Sequence, residues 1–223
     1  MRNPLRNQEA LAQRDASLRR LRASGPALDV RELPSFGFSH RSLMWWGTQG
    51  LMAIEGMAFA LGLGAWFYLR AQTDVWPPGD QPPALLWGSL TTLVLLVSLW
   101  PNHKAKQAAE HLDRGGVQRW LLVTLLVALA ILLLRVFEFR HLNTHWQSSA
   151  YGSIVWLVLG LHTVHLLTDA YDSAVLLVLF HTGPLQGQRY VDQSENAVYW
   201  VFVVVSWLPV YAVLYLAPRT WGT

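Results

Sequence analysis

Five apolar runs, at roughly residues 43–70, 84–100, 118–140, 149–180 and 197–217, constrain this chain more than any motif in it. A helix crosses a bilayer with about 20 residues at about 1.5 Å of rise each. All five runs meet that length; the second lies near the lower limit, and the fourth is long enough to tilt or project. The expected fold is therefore an all-α membrane protein, a bundle of five transmembrane helices. Short connections imply antiparallel neighbours packed as one compact unit. The boundaries expected are a basic polar arm over 1–42, the five-helix domain over 43–217 and a short tail over 218–223.

Composition supports this class. The chain is 52% apolar with 12 Trp, and only 14% of its residues are charged. It has no cysteine, which removes disulfides, thiolate metal sites and cysteine nucleophiles together. The net charge of +3 is unevenly placed, and placement sets topology. Thirteen Lys and Arg fall on the side of the N-terminus, the 101–117 connection with Arg119 at its edge, and the 181–196 connection, against Arg70, Arg140 and Arg219 on the other. This bias puts the N-terminus in the cytoplasm and the C-terminus in the periplasm. No secretory signal is expected in the arm, because no apolar core follows its first charges. Residues 5–22, with Leu5, Leu11, Leu18 and Leu21 on one side, fit a surface helix or a solvated tail. Nucleic-acid binding is a poor reading of this charge pattern.

The fourth run, Tyr151 to Phe180, carries His162, His165, Asp169 and Asp172 along one stripe. At about 100° per residue these fall within an arc of roughly 80°, so one polar edge must face protein rather than lipid. An ionisable group in hydrocarbon costs about 2.5 to 3.5 kcal/mol on insertion scales, and such groups pair or line a functional path. Glu55, in the middle of the first run, is the natural partner for His165 or His162. It is read either as a proton-relay group or as a structural carboxyl. Arg135 and Glu138, three residues apart, can pair on one helix face or anchor a lipid phosphate. The two histidines at i and i+3 also raise a metal, with Glu55 or Glu138 supplying oxygen, but helical carboxylate sites use Glu-x-x-His elements that this chain lacks.

Three further features concern packing. Gly56, Ala60 and Gly64 give the first span a small-residue face for another helix. Pro209 is expected to kink the last span. The proline-rich 71–83 connection, with Trp76, Pro77 and Pro78, reads as a stiff loop suited to a partner surface or the headgroups.

Several pieces in order resemble subunit III of the haem–copper terminal oxidases, the third subunits of cytochrome c and ubiquinol oxidases. They are Trp46-Gly47 followed by Glu55 and Phe59; Trp76-Pro77-Pro78; Glu138 ending the third span; Tyr151-Gly152-Ser153 with Gly160, His162 and His165; and Tyr199-Trp200, Phe202, Trp207 and Tyr211. The likeness runs from about Ser42 to Tyr215. It implies a non-catalytic accessory subunit of a bacterial respiratory oxidase, with no haem, copper or substrate site of its own. Haem and copper would sit in partner subunits. The main partner implied is subunit I, with subunits II and IV as further neighbours and phospholipids in a V-shaped cleft. The family's role is to stabilise subunit I and sustain its proton uptake, in the bacterial inner membrane. Glu55 corresponds to the family's buried glutamate, and His162 and His165 to its paired histidines. Many members have seven helices; this chain matches the last five.

The chain departs from the family where a usual Tyr-Trp-His-Phe-Val-Asp run reads Tyr199, Trp200, Val201, Phe202, Val203, Val204. Trp87-Gly88 replaces an Asn-Thr pair, and Arg135 a Gln. These losses favour packing over proton handling, and point also to a divergent branch such as the subunit-III-like protein of some nitric oxide reductases. Two other classes stay open: a freestanding proton-coupled transporter built on Glu55, His162 and His165, and a small membrane redox protein holding haem or metal.

Overall fold

The structure, a computed structural model, describes residues 36–77, 81–184 and 186–220. Residues 1–35, and with them the reading of 5–22 as a surface helix, lie outside the described residues, as does Pro78.

A short 3-10 turn, Ser39–Arg41, leads into α1, Leu43–Ala71; α2 is Leu85–Glu110, α3 Arg114–Arg140, α4 Ala150–Thr182 and α5 Gly187–Tyr211. The last helix continues through a π-helical stretch, Ala212–Leu216, into α6, Ala217–Thr220. Five helical segments, the fifth running Gly187–Thr220, are long and apolar enough to cross a membrane, and no strand occurs among the described residues. Side-chain oxygens start two of the helices: Ser42 Oγ accepts from the Met44 amide at 3.1 Å, and Ser149 Oγ from the Gly152 amide at 3.0 Å.

Helix length and apolar length differ in two places. Helix α2 continues through Pro101 to Glu110, so the connection expected over 101–117 shrinks to 111–113. The Lys-Ala-Lys-Gln-Ala-Ala-Glu stretch is a run of strong helix formers, and hydropathy marks only the part suited to lipid. Likewise α5 begins at Gly187, some ten residues before its apolar run, and carries Asp192 and Glu195 within its first turns. Pro209 stays inside the helix, and the i→i+5 stretch follows it directly, as expected where a missing N–H perturbs the ladder.

Helices α2, α3, α4 and α5 pack in a closed cycle, each against the next, and α5 returns to α2. Helix α1 does not lie beside α2, despite the short connection; it packs across α4 and α5. The close approach of α1 to α4 is made at Gly62, where an added Cβ would lie 3.1 Å from Val158. Of the expected small-residue face, Gly56 meets Phe202 of α5, whereas Gly64 faces open space. The core runs through Leu95, Ile131, Val158, Leu159, Trp200, Val203 and Trp207, all fully buried.

Trp76 corrects one expectation. It is 3% exposed and turned inward, edge-on to Trp66 and Tyr151 with ring centroids 5.5 and 5.1 Å away. A large apolar ring in a short loop gains more from a pocket of its own chain than from the aqueous boundary. Trp46 takes the reverse position: it is 61% exposed, its indole N–H donating to the His40 carbonyl at 3.2 Å and its ring edge-on to neighbouring Trp45 at 4.8 Å, so it lies outside the core.

Candidate functional site

The polar stripe of α4 is divided between two neighbours. His162 faces the four-helix cycle, and its Nε2 lies 3.0 Å from the Val203 carbonyl. A carbonyl can only accept, so Nε2 carries the proton and Nδ1 is the acceptor for Arg135 Nη2 at 2.9 Å. Arg135 Nη1 donates to Glu138 Oε2 at 2.8 Å, and both side chains are 1% exposed. Thr91 of α2 donates to the same oxygen at 3.1 Å, and the Tyr215 hydroxyl to the other. The guanidinium also lies over the Trp207 ring, 4.3 Å from its centroid. One cation and one anion are thus balanced within a knot tying α2, α3, α4 and the last helix. Burial to this degree closes Arg135 and Glu138 to a lipid phosphate, correcting that reading; an ion pair in hydrocarbon is satisfied most fully by groups the fold can fix around it.

Room for the knot comes from Gly88. A Cβ there would lie 2.5 Å from the Tyr215 ring, so the lack of a side chain at Gly88 is what lets Tyr215 reach Glu138. Trp207 is held in turn by Thr92, which accepts from its indole N–H at 2.8 Å.

His165 turns to α1. Its Nδ1 lies 3.0 Å from the Leu161 carbonyl and therefore donates. Its Nε2 lies 3.0 Å from Glu55 Oε2, close in distance but not aligned as a hydrogen bond. Attraction there requires one proton between ring and carboxyl, as imidazolium with carboxylate or as imidazole with carboxylic acid. The Tyr199 hydroxyl donates to the same oxygen at 2.6 Å. The Glu55 side chain is 22% exposed, whereas that of His165 is 5% exposed. Asp169, one turn further, is 1% exposed, and neither oxygen has a hydrogen-bond partner among the described residues.

Below this seam, toward the start of α1, a groove of about 520 Å³ opens between α1, α4 and α5. Glu55 and Tyr199 line it beside the seam, and Asp172, Asp192 and Glu195 supply further carboxylates. Among the described residues no Lys or Arg lines it. Among the described residues no group of three or more His, Cys, Asp or Glu is placed to hold a metal ion.

The remaining residues singled out in the sequence divide between surface and core. Tyr151, Trp200 and Trp207 are fully buried, Tyr199 nearly so, and Phe202 partly. Gly152 fits against the His145 carbonyl, which an added Cβ would meet at 2.2 Å, and Ser153 donates to the Trp146 carbonyl at 2.7 Å. Gly47 and Gly160 face open space, and Pro77 is half-buried. Val201 is 42% exposed, whereas Val204 lies in the core. Sequence reasoning missed Tyr215 and Thr91 as partners of Glu138, and Asp192 and Glu195 altogether. The last two share a helical stripe with Tyr199, a signal that was present but lay outside the expected span.

The fold and these sites define a multi-pass helical membrane protein whose intramembrane charges are tied to one another. A profile of the cytochrome c oxidase subunit III family matches residues 73–222. The chain is 33% identical to a probable cytochrome c oxidase subunit 3 of Mycobacterium tuberculosis, over 76% of this chain and 85% of that protein. It is 28% identical to cytochrome c oxidase subunit 3 of Corynebacterium diphtheriae, with the same coverage, and 24% identical to that of Synechocystis sp., over 79% and 77%. The chain belongs to the cytochrome c oxidase subunit III family.

Proposed function

We propose that this chain seats on subunit I of a bacterial haem–copper oxidase in the inner membrane, N-terminus inward, stabilising that subunit rather than reacting itself. As a member of the subunit III family it is an accessory subunit of such an oxidase. The observation that carries this reading is the family match through the last four helices, joined to 33% identity across most of a relative's length. The geometry supports it: Arg135, Glu138 and His162 are consumed in cross-helix ties, which is chemistry of assembly. Haem and copper belong, on this reading, to the partner subunits, and the exposed apolar face of α1, including Ile54, Met57 and Leu61, is open to lipid or to subunit I. Glu55 and His165, 3.0 Å apart, are the groups through which the chain would support proton uptake by its partner. Affinity purification of the tagged chain in mild detergent tests the assignment. A haem-containing subunit co-eluting in stoichiometric amount is the expected result. A colourless, solitary protein under conditions that preserve the oxidase would refute it.

A further inference from the structure

The acidic groove between α1, α4 and α5 is not used by the packing described above. We propose that it binds a linear aliphatic polyamine, its ammonium groups meeting carboxylates spaced along the groove. The spacing is the first argument. Asp192, Glu195 and Tyr199 recur along one face of α5, spanning about 10 Å at about 1.5 Å per residue. Asp172 faces them from α4 and Glu55 from α1. Carboxylates so distributed do not converge as a metal requires, and no metal-holding group is found among the described residues. Between them Leu51, Val175 and Leu176 form apolar wall, matching the methylene spacers of a polyamine.

The second argument is Glu195. It is 2% exposed, lines the groove and accepts from the Ser39 backbone amide, yet its Oε2 has no hydrogen-bond partner among the described residues. A buried carboxylate oxygen without a donor is costly, and a bound ammonium supplies the donors. Nearby cations do not: Lys106 is held by Glu110 at 2.7 Å and Arg189 by the Pro184 carbonyl at 3.0 Å. The volume of about 520 Å³ suits a small ligand. An aminophospholipid headgroup offers the same ammonium, but its phosphate would find no cation among the described residues of this lining.

The test is equilibrium dialysis of labelled spermidine against the full chain in phosphatidylcholine nanodiscs. Saturable binding is expected, weakened about tenfold or more by Glu195→Gln or Asp192→Asn and unchanged by Asp74→Asn at the far end of α1. Thr48→Trp, which fills the groove without altering charge, should abolish binding and serves if the acidic variants fail to fold. Weaker binding in nanodiscs containing phosphatidylethanolamine would make the lipid headgroup the occupant and overturn the polyamine assignment. Absence of binding by the wild-type chain, binding indifferent to Thr48→Trp, or displacement by equimolar Mg²⁺ would overturn the proposal.

Discussion

The two ends of the bundle solve the same electrostatic problem in opposite ways. Where α1 ends and α2 begins, Arg135, Glu138, His162, Thr91 and Tyr215 satisfy one another in a closed knot, and the surrounding connections are laced together. The Ala84 amide donates to the His141 carbonyl at 3.1 Å, and Arg219 donates to the Pro83 and Tyr215 carbonyls. At the other end the acids outnumber their partners among the described residues: Asp169 has two unpartnered oxygens, and Glu195, which borders the open groove, has one. Both regions draw on the same stripe of α4. The difference lies in what stands opposite it: three other helices of the cycle in the first case, and in the second α1 with the adjoining face of α5, meeting across an open seam. A network enclosed on all sides can be completed by the fold, whereas one at a seam is left for something else to complete.

Breaking the knot should have the largest effect. Glu138→Ala leaves Arg135 buried without its anion, and a loss of about 3 to 5 kcal/mol is expected. Thermal unfolding of the purified protein in detergent reads this directly; a loss below about 1 kcal/mol would mean that the knot is not sealed. Gly88→Ala comes next, since its Cβ would strike the Tyr215 ring at 2.5 Å. Overpacking of this kind costs about 1 to 3 kcal/mol, and Tyr215→Phe in the same background should not restore stability, because the clash is with the ring and not the hydroxyl. The smallest effect is expected in the seam. Glu55→Gln keeps an oxygen to accept from Tyr199 and lies in a partly open site, so stability should change by less than about 1 kcal/mol. Turnover of the parent oxidase should fall only modestly. Abolition of steady-state activity by this one substitution would place the seam, rather than the knot, at the centre of function.

Much of the fold was legible along the chain because hydrocarbon imposes a local rule: a long apolar run must be helical, wherever it ends up. The five segments and the polar edge of α4 followed from length and period alone. The ends of α2 and α5 were not legible from hydropathy, since a helix can continue into water on propensity and neighbouring contacts, and Asp192 and Glu195 were overlooked for that reason. Of the candidate site, Glu55, His165, Arg135 and Glu138 stood out as ionisable groups at bilayer depth. Which of them would meet was a different matter.

The sequence by itself determined that this protein spans the membrane as helices and that its buried charges need partners, because both follow from the cost of exposing polar groups to lipid. Only the tertiary structure decided that α1 crosses α4 and α5 instead of lying beside α2, that His162 closes a knot while His165 joins a seam, and that Trp76 turns inward. Three residues of helix separate the two histidines, yet about 60° of rotation sends them to different neighbours. Such choices depend on which helices stand alongside, and that is settled by the packing of the whole bundle at once.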